Sequence, residues 1–149
     1  MAANTYLAPE ERAALESVRV GIAGAGGLGS NCAMHLVRSG VKHITIADFD
    51  VVNESNLNRQ FFFRDQIGQK KVEAIKANLL RIEPDADIRA VDIRLDASSA
   101  REIFADCGID LCEDRWHRVP IHTNGPVVFP EDIWNSPLLT DKIIFENQY

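Results

Sequence analysis

The chain has 149 residues, 46% of them hydrophobic and 26% charged, with a formal net charge of −6. A chain of this length suits one ordinary domain, which buries roughly 68–70% of its unfolded surface and so has a real core. The acidic balance argues against non-specific nucleic-acid binding, and no apolar run reaches the ~18 residues that suggest a membrane-spanning helix.

The first 16 residues read as a polar, partly helical lead-in without the basic start and apolar run of a secretory signal. Val18–Ala23 is a short apolar run that stops at GAGGLGS, the pattern of a buried strand ending in a glycine turn. From Leu28 the apolar positions Leu28, Cys32, Leu36 and Val37 recur at helical spacing, and Gly40 is a suitable stop. His43–Asp48, HITIAD, predicts a second buried strand, so the three pieces make a βαβ unit with parallel strands.

After a polar loop, Ile67–Ile82 carries Val72, Ile75, Leu79 and Ile82 on one helical face and ends before Pro84. Asp87–Arg94 predicts a third strand, and Ala97–Ala105 a short helix with Ile103 and Phe104 toward the sheet. Ile109–Cys112 begins a fourth strand. Alternating strands and helices imply an α/β fold, Rossmann-like and doubly wound, with a mainly parallel sheet. Beyond Glu113 no helical period is evident, and residues 115–149 hold four of the six prolines and both tryptophans, Trp116 and Trp134. Val127–Phe129 and Lys142–Phe145 are candidate short strands. The expected organisation is a lead-in at 1–16, a nucleotide-binding domain at 17–114 and a distinct tail at 115–149.

Gly24-Ala-Gly-Gly-Leu-Gly29 satisfies G-x-G-x-x-G between a predicted strand and a predicted helix. In that context Gly24 permits the tight turn, Gly26 lets the backbone approach a phosphate and Gly29 lets the helix pack closely. Asp48 lies 24 residues after Gly24, where a dinucleotide enzyme keeps its ribose-binding acid. NAD, FAD and ATP all remain open on these residues.

The loop that follows, ADFDVVNESNLNRQ, has more amides than a simple turn needs. Arg59 follows Asp48 by 11 residues and Lys71 starts the next predicted helix. Both can return to the carboxyl ends of the first two strands, where such sheets bind ligands. Reaction at phosphorus requires cations that neutralise developing charge, whereas hydride transfer does not require them beside the phosphates. The plain alternative for Lys70 and Lys71 is a solvated pair. Phe61-Phe-Phe63 reads as core or an interface patch, and Cys32, Cys107 and Cys112, with no C-x-x-C pair, read as structural thiols in a reducing cytoplasm.

The segments GIAGAGGLGSN, ADFDVV, SNLNRQ and IGQKKVEAIKANLLRIEP, in this order and spacing, resemble the ThiF/MoeB/HesA superfamily, the bacterial relatives of ubiquitin-activating enzymes. The stretch SNCAMHLVRSG is most similar to short ThiF-type proteins of thiamine biosynthesis. The resemblance runs from about Glu16 to Asp110. It implies binding of Mg2+ and ATP, and adenylation of the C-terminal Gly-Gly carboxylate of a ubiquitin-like, ThiS-like sulfur carrier. By that resemblance Gly27 lies beside the phosphates and Asp48 binds the ribose hydroxyls. The loop Ser55, Asn56, Asn58 and Arg59 lines the nucleotide, with Asn56 holding the loop or the substrate and Arg59 on the phosphates, and Lys71 stabilises charge at the reacting phosphates. Asp50 supports Arg59 or caps the turn. A homodimer is also implied, which would cover the exposed edge of a shortened sheet.

The family's next conserved acid, a Mg2+ ligand, has Asp114 as its nearest counterpart, although the flanking residues differ. Residues 115–149 depart from the family pattern, so the expected fold is incomplete relative to the family. His117 and His122 near Asp114 match no common metal spacing. Three other functions stay in view: a nucleotide-binding module without catalysis, a NAD- or FAD-binding oxidoreductase fragment, and activation of a carboxylate on modified tRNA, which the acidic charge disfavours.

Overall fold

The computed structural model describes residues 6–112 and 143–145. Helix α1 spans Pro9–Ser17, strand β1 Arg19–Ala23, helix α2 Gly29–Ser39 and strand β2 His43–Asp48. Two single 3-10 turns follow at Glu54–Asn56 and Arg64–Gln66, then helix α3 at Lys71–Ile82, strand β3 at Asp87–Asp92 and helix α4 at Ala97–Ile103. Strands β4, Ile109–Cys112, and β5, Ile143–Phe145, complete the set. The sheet has five strands in the order β3-β2-β1-β4-β5, and every neighbouring pair is parallel. The fold is the expected Rossmann-like α/β sheet. The strand order reverses between β1 and β4, which places a ligand crevice outside the carboxyl end of β1.

The strands alternate their side chains between two cores. Val20 and Ile22 of β1, Ile44 and Ile46 of β2 and Ile88 of β3 meet Ala33 and Val37 of α2 and Ala74, Ile75 and Leu79 of α3. On the other face the small residues Ala23 and Ala47 leave room for Ala100 and Phe104, on and just after α4, and for Cys107. Helices therefore cover both faces, the doubly wound arrangement. A fully buried Leu, Ile or Phe side chain contributes roughly 1.5–3 kcal/mol, so the Ile22, Ile46, Ile75 and Leu79 contacts anchor the strand and helix ends that form the site.

Helix α2 ends as its sequence predicts. Gly40 adopts a left-handed φ of 113°, its N–H donates to the Val37 carbonyl at 3.1 Å, and the Val41 N–H reaches Leu36 at 3.0 Å. An L side chain is disfavoured at that φ. Helix α3 begins at Lys71, later than the apolar spacing from Ile67 suggests. The cause is an antiparallel zip. Val52 N–H donates to Gln69 at 2.9 Å, Gly68 N–H to Val52 at 2.8 Å, and Lys71 N–H to Asp50 at 3.0 Å. Those hydrogen bonds hold a turn at Gly68, where φ is 90°, and a bridge from Lys70 to Val51, so residues 68–70 stay out of the helix against the exit of β2. Of the three phenylalanines, Phe62 enters the core, Phe61 packs beside it, and Phe63 is exposed and meets Phe61 edge to face.

No helix among the described residues is long and apolar enough to cross a membrane. Asp114, His117, His122, Trp116, Trp134 and Val127–Phe129 lie outside the described residues.

Candidate nucleotide site

The site begins at the end of β1. Gly24 turns the chain with a φ of 104°, and its N–H donates to the Ala47 carbonyl of β2 at 2.8 Å. The next N–H, of Ala25, donates to Asp48 Oδ2 at 2.7 Å. The other Asp48 oxygen, Oδ1, accepts from the Asp50 N–H at 2.8 Å. One carboxylate therefore fixes both the glycine loop and the start of the polar loop. A carboxylate has about four acceptor sites, so two remain for the hydroxyls of a ribose.

Gly27 and Arg59 face each other. A Cβ built on Gly27 would lie 3.7 Å from Arg59 Cγ and 3.8 Å from Nε, ordinary van der Waals distances. Packing within the protein therefore does not demand glycine at 27. The missing side chain instead leaves bare backbone beside the guanidinium. Arg59 is held from below, its Nη1 donating to the Ser55 carbonyl at 3.1 Å and to Asn58 Oδ1 at 3.0 Å. Its Nε and Nη2 have no partner among the described residues, so part of the guanidinium fork stays available to an anion.

The amides of the polar loop build this support. Asn56 is buried, and its Oδ1 accepts the Asn53 N–H at 3.0 Å. The Ser55 hydroxyl donates to Asn53 Oδ1. Asn56 thus holds the loop rather than facing outward. Gln66 and Asn78 form a buried reciprocal amide pair, at 2.7 and 3.0 Å, and Asn78 also donates to the Phe61 carbonyl at 2.9 Å. That pair ties the end of the loop to α3.

Lys70 and Lys71 are not a solvated pair. Lys70 is half-exposed and meets Asp92 at 3.3 Å, whereas the Lys71 side chain is only 8% exposed. The Lys71 ammonium lies 3.8 Å from the Asp50 carboxylate. It makes no hydrogen bond among the described residues. Burying an ammonium is costly unless its donors are satisfied. Asp50 therefore serves Lys71 rather than Arg59, because the zip places the Asp50 carbonyl on the Lys71 N–H. Among the described residues no three acids, histidines or cysteines converge as a metal site.

A ThiF family model matches residues 2–116. The chain belongs to the ThiF family. Among its relatives, the molybdopterin-synthase adenylyltransferase of Salmonella typhimurium is 39% identical over 70% of this chain and 43% of its own length. The SAMP-activating enzyme E1 of Haloferax volcanii is 36% identical over 75% of this chain and 41% of its own length. This ThiF-family chain thus spans less than half the length of these curated relatives. Among solved structures, the E. coli tRNA N6-threonylcarbamoyladenosine dehydratase TcdA aligns with a TM-score of 0.70 at 25% identity, over 74% of this chain and 46% of that one. E. coli MccB with ATP aligns with a TM-score of 0.66 at 26% identity, over 70% of this chain and 32% of that one.

The structure also brings in residues that the sequence did not single out. Ser30 and Asn31, in the first turn of α2, contact both the glycine loop and the polar loop. Gln60 is buried, and its Oε1 has no hydrogen-bond partner among the described residues. Their signal in the sequence was weak: short polar residues just after a glycine turn read as ordinary helix starters.

Proposed function

We propose that this ThiF-family chain binds ATP at the glycine loop and adenylates the C-terminal Gly-Gly carboxylate of a ubiquitin-like sulfur carrier, of the ThiS type, in thiamine or related sulfur-cofactor synthesis. The observation that carries the reading is a pair of cations at the carboxyl edge of the sheet. Arg59 lies over bare Gly27 backbone with its Nε and Nη2 donors unused among the described residues, and Lys71 is a buried ammonium without a hydrogen bond among them. Cations with unused donors, Arg59 exposed at the loop and Lys71 buried behind it, are what a reaction at a polyphosphate requires and what a hydride-transfer site does not. The names of the relatives support the same reading, since one is an adenylyltransferase and one an activating enzyme.

In this mechanism a carboxylate oxygen of the carrier attacks the α-phosphorus of ATP. A new O–P bond forms, the bond from the α-phosphorus to the bridging oxygen breaks, and pyrophosphate leaves with that electron pair. The nucleophile is already an anion, so no side chain has to remove a proton. Asp48 holds the ribose, Gly24, Gly26, Gly27 and Gly29 give the phosphates room, Arg59 binds them, and Lys71 neutralises charge as it shifts to the leaving group. Ser55, Asn56 and Asn58 keep Arg59 in place, and Asp50 keeps Lys71 in place. Mg2+ would supply further neutralisation, with Asp114 as the proposed ligand.

The site works in the cytoplasm on this reading, as part of a homodimer. A second reading is nucleotide binding without transfer, motivated by a family match that ends at residue 116. Carrier-dependent exchange of labelled pyrophosphate into ATP separates the two. Exchange supports adenylation, and ATP binding without exchange supports the second reading. Tighter binding of NADH than of ATP would instead revive a redox role.

A further inference from the structure

The glycine loop and the polar loop are far apart in sequence, yet two consecutive residues stitch them together. The Ser30 hydroxyl donates to the Gly26 carbonyl and accepts the Phe61 N–H at 3.0 Å. Asn31 does more. Its Nδ2 lies 2.6 Å from the Gly27 carbonyl and 2.7 Å from the Arg59 carbonyl. An amide nitrogen carries two hydrogens, so each carbonyl receives one. The backbone of Gly27 and the backbone of Arg59 are thereby set at a fixed separation by one side chain.

We infer that Asn31 is a positioning residue that couples the glycine loop to the Arg59 loop, so that neither phosphate-binding group moves without the other. Nothing else among the described hydrogen bonds joins Gly27 to Arg59 directly, and even a Cβ added at Gly27 would only come within van der Waals distance of the Arg59 side chain. Asn31 holds the backbone of the residue that carries the guanidinium, whose own anchors among the described residues, Ser55 and Asn58, belong to the same loop. Without Asn31 the loop would keep its internal shape and its Ser30–Phe61 bond, but Arg59 itself would lose its fixed placement over Gly27. Misplacing a reacting group by about 1 Å can cost on the order of 10²-fold in rate. The effect on rate rests on the adenylation reading; the clamp does not.

The test uses two substitutions in the full chain. Asn31→Asp keeps the shape and turns an acceptor toward both carbonyls, and Asn31→Ala removes the side chain. The direct readout is limited trypsin digestion followed by mass spectrometry, because the bond after Arg59 has its carbonyl held by Asn31. Cleavage there should rise about tenfold or more in both variants, while cleavage after Arg81, on α3, stays within twofold of the unsubstituted chain. Unchanged cleavage after Arg59, or an equal rise at both sites, overturns the clamp. Pyrophosphate exchange should show kcat lowered about tenfold with KM for ATP within twofold. Full exchange activity in a variant whose Arg59 bond has opened overturns the catalytic consequence. If the unsubstituted chain shows no exchange, the adenylation reading fails, and the trypsin comparison still decides the clamp.

Discussion

Lys71 and Asp50 are joined twice: the Lys71 N–H donates to the Asp50 carbonyl at 3.0 Å, and the Lys71 ammonium stands 3.8 Å from the Asp50 carboxylate. The backbone bond fixes where α3 starts, and the ion pair is the one electrostatic partner of a buried cation among the described residues. Removing the buried ammonium leaves a half-exposed, solvated Asp50 carboxylate rather than a stranded buried charge, so an apolar side chain of similar volume at 71 costs little. Lys71→Met should therefore leave urea stability unchanged or slightly raised, while pyrophosphate exchange falls about 10²–10³-fold. ATP affinity should fall much less, because the charge acts mainly in the transition state. Equal losses in affinity and rate would contradict the role given to Lys71. Asp50→Ala should destabilise by about 1 kcal/mol, since it strands the ammonium beside a half-exposed gap.

Asp48 carries two loads. Its oxygens hold the Ala25 and Asp50 N–H groups. Asp48→Asn keeps the shape but has only one acceptor oxygen, so one of these N–H groups faces an NH2. The expected cost is about 1–3 kcal/mol, a fall in Tm of several degrees. Nucleotide affinity should drop as well, measurable by calorimetry at a temperature where the variant is folded. A variant with full stability and full affinity would remove Asp48 from the site.

The buried Gln66–Asn78 pair predicts a stability effect away from the ligand. Asn78→Ala leaves the Gln66 amide and the Phe61 carbonyl without their partner. Gln66 keeps the Ala74 carbonyl and the Phe63 N–H, so the loss falls mainly on the Phe61 carbonyl and the emptied amide site, about 1–3 kcal/mol in all. Urea titration should show a lower midpoint with an unchanged slope, and the Gln66→Ala, Asn78→Ala double variant should cost less than the sum of the two single changes.

At the amino end of the sheet, the Arg19 guanidinium is hydrogen-bonded to Asp87 and holds its carboxyl below the ordinary 3.8, with His43 adding to the effect. Asp96 is lowered in the same direction by the Ser99 N–H that it caps. A carboxylate with a depressed folded pKa binds its proton first in the unfolded chain. Its contribution is present above about pH 4 and is lost as pH falls through the folded value. Asp87→Asn should therefore flatten the fall of stability as pH drops below about 4 relative to the unsubstituted chain. An unaltered acid limb would show that the Arg19–Asp87 pair contributes nothing there.

Much of the fold was legible because its signals are local. Val18–Ala23 and His43–Asp48 are apolar runs closed by a glycine turn or an acid, and they form β1 and β2 almost residue for residue. The start of α3 was not legible, because the turn at Gly68 and the Lys70 bridge are held by hydrogen bonds to Asp50–Val52, a pairing that leaves no periodicity in the sequence. The same limit applies to the site. Asp48, Arg59 and Lys71 stand out by type and spacing. The partnership of Lys71 with Asp50, and the bond from Asn31 to a carbonyl 28 residues away, depend on how the sheet brings its loops together.

The most direct test of the account is carrier-dependent pyrophosphate exchange, measured with the full chain, Mg2+, ATP and a ubiquitin-like sulfur carrier ending in Gly-Gly. The account predicts exchange that requires the carrier's terminal carboxylate and is abolished by Arg59→Ala. Firm binding of ATP with no exchange above background would contradict it.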